Sequence, residues 1–444
     1  MISRQKADDR VVFRALIDRS VLAAVGEGVT SLAGLLRYLP SVYPTELLAS
    51  LARLGDCGAV NSAIVDKVRD QASTRPIEPP EGRSLLPLPH PLDFEWRFTP
   101  RASRDLLNIA NDLTPLYADV LLFGTPGLAV EALSLPTNRW LSFLGEDNLV
   151  TRRLIALNRA TGSALSIAFC SAGLPRNSCD AVVLDPPWYM DFIRPMLAAA
   201  AAACRADGVV LASLPPLGTR PSAESDRDAA VRFAGRLGLD LIDYLPLAIG
   251  YDTPFFETNA LAAAGVFAPS QWRRGDLIIF RKSRRPTRPI SALRGRRREW
   301  IETSIGRMRL FIKPEQSPTT GLEGLIPTID GDILPSVSRR DPRRRGTKVW
   351  TSGNRAFRTD NANLVLQAAL SRSGKHIQRG AQPSLWGNVY ERDAVQRIGD
   401  MLMELAVREA GEERGSHPVA LERSIPWTSS LTSSYSKLRA TASG

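Results

Sequence analysis

The sequence predicts a doubly wound α/β protein with a parallel sheet of about seven strands, flanked by a helical unit and a basic one. Three observations carry this. Between residues 120 and 280, continuous apolar runs of strand length alternate with segments of helical period, as in a sheet buried on both faces. The first two runs end in glycine-bearing turns and the fourth in paired prolines. The flanks differ in kind, with helical periodicity before residue 80 and a basic stretch after residue 271.

Within residues 11–72 the apolar positions Val12, Leu16, Val21, Leu22, Leu32, Leu35, Leu36, Leu47, Leu48, Leu51 and Leu54 recur at helical spacing. Three short helices follow, the second capped by Thr30 or Ser31 and the third by Thr45 after Pro44. With Gly55 to Val60 as a small wing, residues 1–80 are winged-helix-like, either a DNA-contacting module or a helical protein-interaction one. Prolines 76, 79, 80, 87, 89 and 91 mark a linker over 81–92. Strands are then expected at 120–123, 140–144, 165–169, 181–184, 209–214, 239–245 and 276–280, with helices between them. The sheet domain spans 93–285. A basic accessory domain covers 286–427, with a strand over 300–312 and helices at 363–371 and 391–409, and the Ser/Thr-rich tail 428–444 is expected to be disordered.

At 444 residues the chain is long enough for several domains and a sizeable core. Its 57 basic and 46 acidic residues give +11, and residues 271–350 carry 20 basic against 8 acidic, so one window holds the whole imbalance. Cys57, Cys170, Cys179 and Cys204 have no metal-finger spacing, and His90, His376 and His417 stand alone, so no metal site is expected. The chain lacks the order of a signal peptide, and its Ala-rich run Leu197 to Cys204 is too short for a bilayer. A soluble cytoplasmic protein with reduced thiols is the expectation.

In such a sheet the ligand lies at the carboxyl ends of the strands, where strand order reverses. After the first strand, Phe123, Gly124, Thr125 and Gly127 form a turn that brings backbone amides to a ligand. After the second, Glu146 or Asp147 suits ribose hydroxyls, although Asp147 or Asn148 serves equally as a helix cap. After the fourth come Asp185, Pro186, Pro187 and Trp188.

Asp185-Pro186-Pro187-Trp188 resembles the (Asp/Asn/Ser)-Pro-Pro-aromatic motif of class I, Rossmann-like S-adenosylmethionine-dependent methyltransferases acting on exocyclic amines of adenine or cytosine. That resemblance implies S-adenosylmethionine as cofactor, Asp185 and the Pro186 carbonyl as acceptors for the target amine, and Trp188 stacked on the base. It extends to Thr99 and Pro100, which resemble a Thr-Pro segment that contacts the cofactor in N6-adenine enzymes. It covers about residues 93–282. Departures are the absence of an acid just before Gly124, and Cys170 and Ser171 where an Asp often meets the cofactor's adenine. A second resemblance, to the branched-chain polyamine synthases, shares the Asp-Pro-Pro-aromatic end and the N-terminal helices. Its Gly-Asp-Asp-Asp run is absent, Gly124-Thr125-Pro126-Gly127 standing instead.

Residues 251–257 set three aromatics beside two carboxylates, a loop that walls the pocket or packs in the core. The basic window supplies Arg281, Lys282, Arg284, Arg285, Arg296, Arg297, Arg298, Arg343, Arg344 and Arg345 for nucleic-acid phosphates, DNA or RNA. The leading expectation is an N6-adenine-type methyltransferase in which phosphate contact and chemistry fall to neighbouring domains. A nucleic-acid-binding scaffold without catalysis and an aminopropyltransferase are the alternatives. A protein partner or a second copy would meet the N-terminal helices.

Overall fold

The computed structural model describes residues 2–74, 85–135, 139–173, 176–283, 299–315, 324–373 and 392–415, with side chains from residue 9 onward. Four helices open the chain: α1 (Ile2–Gly26), α2 (Leu32–Tyr38), α3 (Pro44–Asp56) and α4 (Ser62–Ser73). Ser31 caps α2, accepting from the Gly34 amide. Helix α3 starts two residues earlier than a Thr45 cap predicts, because Pro44 takes the first helical position, where its fixed φ is favourable and its missing N–H costs nothing. The expected wing is absent. Gly55 and Asp56 finish α3, and residues 57–60 turn directly into α4 with Gly58 at φ +75°. Leu35, Leu36, Leu47 and Leu51 form a core that also takes in Leu261, Val266 and Trp272, so these helices pack on the following domain.

That domain runs β1 (Arg97–Phe98), α5 (Pro100–Asp112), β2 (Asp119–Phe123), α6 (Pro126–Ser134), β3 (Trp140–Gly145), α7 (Leu149–Thr161), β4 (Ser166–Phe169), β5 (Cys179–Leu184), α8 (Met190–Ala203), β6 (Cys204–Leu214), α9 (Ala223–Arg236), β7 (Leu239–Asp252), α10 (Phe255–Ala263) and β8 (Arg274–Lys282). The sheet has eight strands in the order β1-β7-β8-β6-β5-β2-β3-β4. The strand beyond the expected seven is β1, which pairs Phe98 with Tyr251. Strands β2 to β6 are parallel neighbours, and β8 is antiparallel between β6 and β7. Side chains alternate between two cores. Leu122, Val183 and Leu211 meet α5, α6 and α7 on one face, and Leu121, Val182 and Val210 meet α8 and α9 on the other. Chain order reverses between β2 and β5, the switch point where a ligand site forms.

The C-terminal unit is a five-stranded antiparallel sheet, ordered β11-β13-β12-β10-β9. Its strands are β9 (Ile301–Ile305), β10 (Met308–Ile312), β11 (Ile326–Pro327), β12 (Val349–Thr351) and β13 (Ala356–Arg358), backed by α11 (Ala362–Arg372) and α12 (Arg392–Gly415). The single strand expected over 300–312 is a hairpin folded at Gly306-Arg307, with Ile305 opposite Met308. The tail 428–444, His376 and His417 lie outside the described residues. Among the described residues, no helix is long and apolar enough to cross a membrane.

The expected linker does not act as a spacer where it is described. Leu86 and Leu88 are buried, and His90 is fully enclosed, stacked on Phe311 with centroids 4.1 Å apart. His90 Nδ1 accepts from the Leu92 amide (3.1 Å), so Nε2 carries the hydrogen and donates to the Trp350 carbonyl (3.1 Å). Burial holds its pKa well below the usual histidine range.

Beside it, Arg309 on β10 is wholly buried. It donates to the Leu88 carbonyl (2.9 Å), to Asp93 (2.5 Å) and to Glu302 (2.8 Å from Nε). The other Glu302 oxygen accepts from the Leu149 amide (3.1 Å), the first residue of α7. One guanidinium thus joins the 85–95 segment, the C-terminal sheet and a loop of the main sheet. Removing one partner of such a buried cluster strands the remaining charges, at about 3–5 kcal/mol. Arg309→Met is therefore expected to destabilise the protein by that amount in denaturant unfolding, and a loss under about 1 kcal/mol would contradict the role assigned to Arg309.

Candidate active site

The carboxyl ends of β2, β3, β4 and β5 open into one cavity of about 1640 Å³. Phe123 and Gly124 line it from β2, Gly145 and Glu146 from β3, Cys170 and Ser171 from β4, and Asp185, Pro186, Pro187 and Trp188 from β5. The roof comes from residues 92–96 and from Trp300, Glu302 and Phe311 of the C-terminal unit. Residues of the C-terminal unit and of the main sheet therefore line one cavity.

The local sequence explains the floor. Gly124 sits at φ +66°, and a Cβ there would meet Met196 at 3.3 Å. Helix α6 then starts at Pro126. Asn148 caps α7, accepting from the Thr151 amide (2.9 Å). Asp147 turns away to bind Arg152 (2.9 Å), so of the two acids only Glu146 faces the cavity. The Cys170 thiol is pushed up to about 12, chiefly by burial, and stays protonated at neutral pH.

Four predicted residues stand elsewhere. Thr99 is buried as the cap of α5, accepting from the Ala102 amide (3.1 Å), and Pro100 is the first residue of that helix. Thr125 is enclosed at the start of α6, and Gly127 packs against Arg97 (3.4 Å). The Thr-Pro segment here shapes a helix end, and the residues just before it, 92–96, reach the cavity.

Asp185 is the centre of the site. Tyr251 at the end of β7 donates to it (2.7 Å), and Ser213 at the end of β6 lies 2.5 Å from the Tyr251 hydroxyl. Burial pushes Asp185 up to about 7, against the hydrogen bond from Tyr251 and the charge of Arg273, which lower it. Tyr251 and the start of α10 replace the loop expected over 251–257: Tyr251 and Asp252 end β7, and Phe255 begins α10. Gly275 lies beneath. A Cβ there would meet Ser213 Oγ (2.9 Å), Trp188 (3.0 Å) and Tyr251 (3.0 Å), so only glycine leaves room for this arrangement.

Trp188 lines the cavity and is largely enclosed by its own chain. Only 7% exposed, it packs edge-on to Tyr251 (5.6 Å), with the Arg273 guanidinium over its ring at 4.3 Å. Its face is occupied by this chain's own arginine. Arg273, Gly275, Ser213, Glu302 and the 92–96 segment carry no local motif, and nothing in the sequence alone marks them.

The basic residues also differ from expectation. Lys282 is 7% exposed and caps the end of α8, donating to the carbonyls of Ala201 and Cys204. Arg344 lies over the Trp350 ring (4.4 Å), and burial lowers its pKa. Arg343 is exposed but paired with Asp341 (2.6 Å). Arg281 and Arg345 are exposed. Arg284, Arg285, Arg296, Arg297 and Arg298 lie outside the described residues.

No family model and no curated protein matches the chain. Among solved structures it is similar to the branched-chain polyamine synthase from Thermus thermophilus in complex with N4-aminopropylspermidine and 5'-methylthioadenosine, at 15% identity over 63% of this chain and 90% of that one, TM-score 0.46. It is also similar to TrmN from Thermus thermophilus (16%, 41% and 49%, TM-score 0.30) and to a methyltransferase from Pyrococcus furiosus (15%, 40% and 83%, TM-score 0.28). At these identities and scores the likeness fixes neither family nor activity.

The raised Asp185 pKa has a stability consequence. An unfolded Asp titrates near 3.9, so from about pH 4 to pH 7 the native chain keeps a proton that the unfolded chain releases, and stability falls as pH rises through that window. Asp185→Asn lacks this loss. Its melting temperature relative to wild type is expected to climb between pH 4 and pH 8 in thermal scans; a difference independent of pH would rule out the assigned titration.

Proposed function

We propose that the chain is an S-adenosylmethionine-dependent transferase that methylates an exocyclic amine of a nucleic-acid base, adenine N6 foremost. The observation that carries this is the Asp185 carboxyl, held by Tyr251 at the switch-point end of the sheet and open to the cavity. The cofactor fits the floor: Gly124 lets a ligand approach the backbone, and Glu146, about 20 residues on, is placed for ribose hydroxyls. Cys170 and Ser171 would border its adenine. When bound, S-adenosylmethionine supplies a methyl group on a cationic sulfur.

The rest falls to this chain. An aromatic amine is a weak nucleophile because its lone pair is shared with the ring. Asp185 and the Pro186 carbonyl, accepting its two N–H bonds, favour tetrahedral nitrogen and free that lone pair. As the new C–N bond formed and the bond from the methyl carbon to the cationic sulfur broke, leaving a neutral thioether, the surplus proton would pass to Asp185, whose affinity near pH 7 suits receipt and release. No metal enters this scheme. Alignment in an enclosed cavity supplies much of the rate.

Aromatic walls favour a planar acceptor: Phe94, Trp96, Trp300 and Phe311 all line the cavity, as a base extruded from its strand requires. An aliphatic polycation is less well served. Of the seven lining carboxylates, Asp93 and Glu302 hold Arg309, Glu95 holds Arg97, Asp191 holds Arg339 and Glu299 holds Lys313. Nucleic-acid phosphates would meet exposed Arg281 and Arg345. A protein partner or second copy would meet the N-terminal helices, where Val11 and Val12 are exposed.

Incubation with labelled cofactor, a panel of DNA, RNA and spermidine, and digestion to nucleosides tests the reading. Label is expected in N6-methyladenine, with the rate rising with pH to a plateau above about 7. Asp185→Ala is expected to slow transfer at least about 100-fold while calorimetry finds cofactor affinity within about threefold of wild type. Transfer of label to spermidine from aminopropyl-labelled decarboxylated S-adenosylmethionine, run in parallel, or no binding of either cofactor, would replace this function with aminopropyl transfer or with scaffolding.

A further inference from the structure

We propose that Arg273 forms an oxyanion subsite on the acceptor side of the cavity, taking a phosphate or carboxylate of the molecule that bears the amine. The word acceptor rests on the transferase reading; the subsite itself rests on geometry. The Arg273 guanidinium carbon lies 4.2 Å from the centre of the Trp96 ring and 4.3 Å from that of Trp188. Two aromatic rings attract the cation at short range. A cation–ring contact uses no N–H donor, which leaves the fork of the guanidinium matched to two oxygens of one anion.

Those donors have no taker among the described residues. Among the described residues the Arg273 side chain makes no hydrogen bond and no ion pair, although it lines the cavity beside Asp185. Around the same cavity Arg97, Arg309 and Arg339 each grip a carboxylate at 2.7 Å or closer. Fully buried Glu257 and half-buried Asp185 influence Arg273 electrostatically, and neither lies within ion-pair distance. Half-buried at the cavity wall, these donors remain open to an entering oxyanion.

The arginine is also held from behind. Ser41 of the N-terminal helical unit is buried, accepts from the Arg274 amide (3.1 Å) and donates to the Arg274 carbonyl. Buried Trp272 packs edge-on to Tyr43 (5.7 Å). Residues on either side of Arg273 are therefore pinned, and the fork is presented at a set place. With Asp185 receiving an amine and Arg273 an oxyanion, the acceptor carries both groups, as a nucleotide does and spermidine does not.

Tryptophan fluorescence reads the subsite without turnover, because both clamping rings are tryptophans. Titration of the full chain with inorganic phosphate and with acetate is expected to give a saturable change, and the tighter of the two identifies the oxyanion as phosphate or carboxylate. Arg273→Met is expected to weaken binding at least about tenfold and Arg273→Lys, which keeps charge without the fork, by less. Cofactor affinity of Arg273→Met, by calorimetry, is expected to stay within about twofold. Wild-type protein that binds neither anion, or Arg273→Met that binds phosphate like wild type, overturns the proposal. A parallel loss of cofactor affinity overturns it too, by assigning the oxyanion to the cofactor's own carboxylate. Should Arg273→Met not fold, unchanged phosphate affinity in Arg273→Lys is the overturning result. Phosphate binding by a protein that transfers no methyl group would sink the methyltransferase reading and leave the subsite standing.

Discussion

The cavity exists because Arg309 joins three parts of the chain distant in sequence. Its guanidinium is wholly buried and meets Asp93, Glu302 and the Leu88 carbonyl, while Glu302 also takes the first amide of α7. Burying one cation among carboxylates is not a cheap source of stability, since desolvation offsets most of the attraction. Its effect is directional. Hydrogen bonds with fixed angles set the hairpin of β9 and β10 in one place over the sheet, where an apolar contact would tolerate sliding. Trp300, Glu302 and Phe311 thereby become part of the site.

The same logic reaches the floor. Asp185 stands at a strand end, where any acid would be near the ligand, but its proton affinity depends on how dry the site is. Dryness comes from Trp188, Tyr251 and the roof, and their close packing depends on the missing side chain of Gly275. A hydrogen bond from Tyr251 limits the rise, so the carboxyl changes charge near neutrality. The helical unit contributes from outside by pinning Arg274 through Ser41. Each of the three units therefore supplies something to one cavity.

What the sequence shows of this follows from the range of the interactions. Strands whose neighbours are all apolar announce themselves, and so do turns that need Gly124 or a pair of prolines, because these are local demands on local residues. Glu146 and Asp185 were visible for the same reason, sitting at strand ends. Thr99 and Pro100 show the limit: a Thr-Pro pair also starts a helix, and the local role is the one they fill. The wing failed likewise, since Gly58 serves a tight turn as well as a hairpin. Arg273, Gly275 and Glu302 were not legible, because their roles are set by residues far along the chain: Glu302 acts on Leu149, and Gly275 makes room for Trp188 and Tyr251.

The basic window changes meaning in this light. A surplus of twelve charges in eighty residues reads as an offer to phosphate, yet much of the described part faces inward. Lys282 caps α8, Arg309 holds Asp93 and Arg307 binds Glu413. Asp93 and Glu413 lie outside the window, so part of its excess is balanced in space by acids that a count along the chain assigns elsewhere. Counterion release requires cations free to meet phosphate. Among the described residues few qualify, and the weight of any grip on a nucleic-acid backbone shifts to the arginines of 284–298, directly after β8. Recognition of an anion inside the cavity is a separate matter, resting on the single guanidinium of Arg273 and on its unpaired fork at the cavity wall rather than on the number of charges around it.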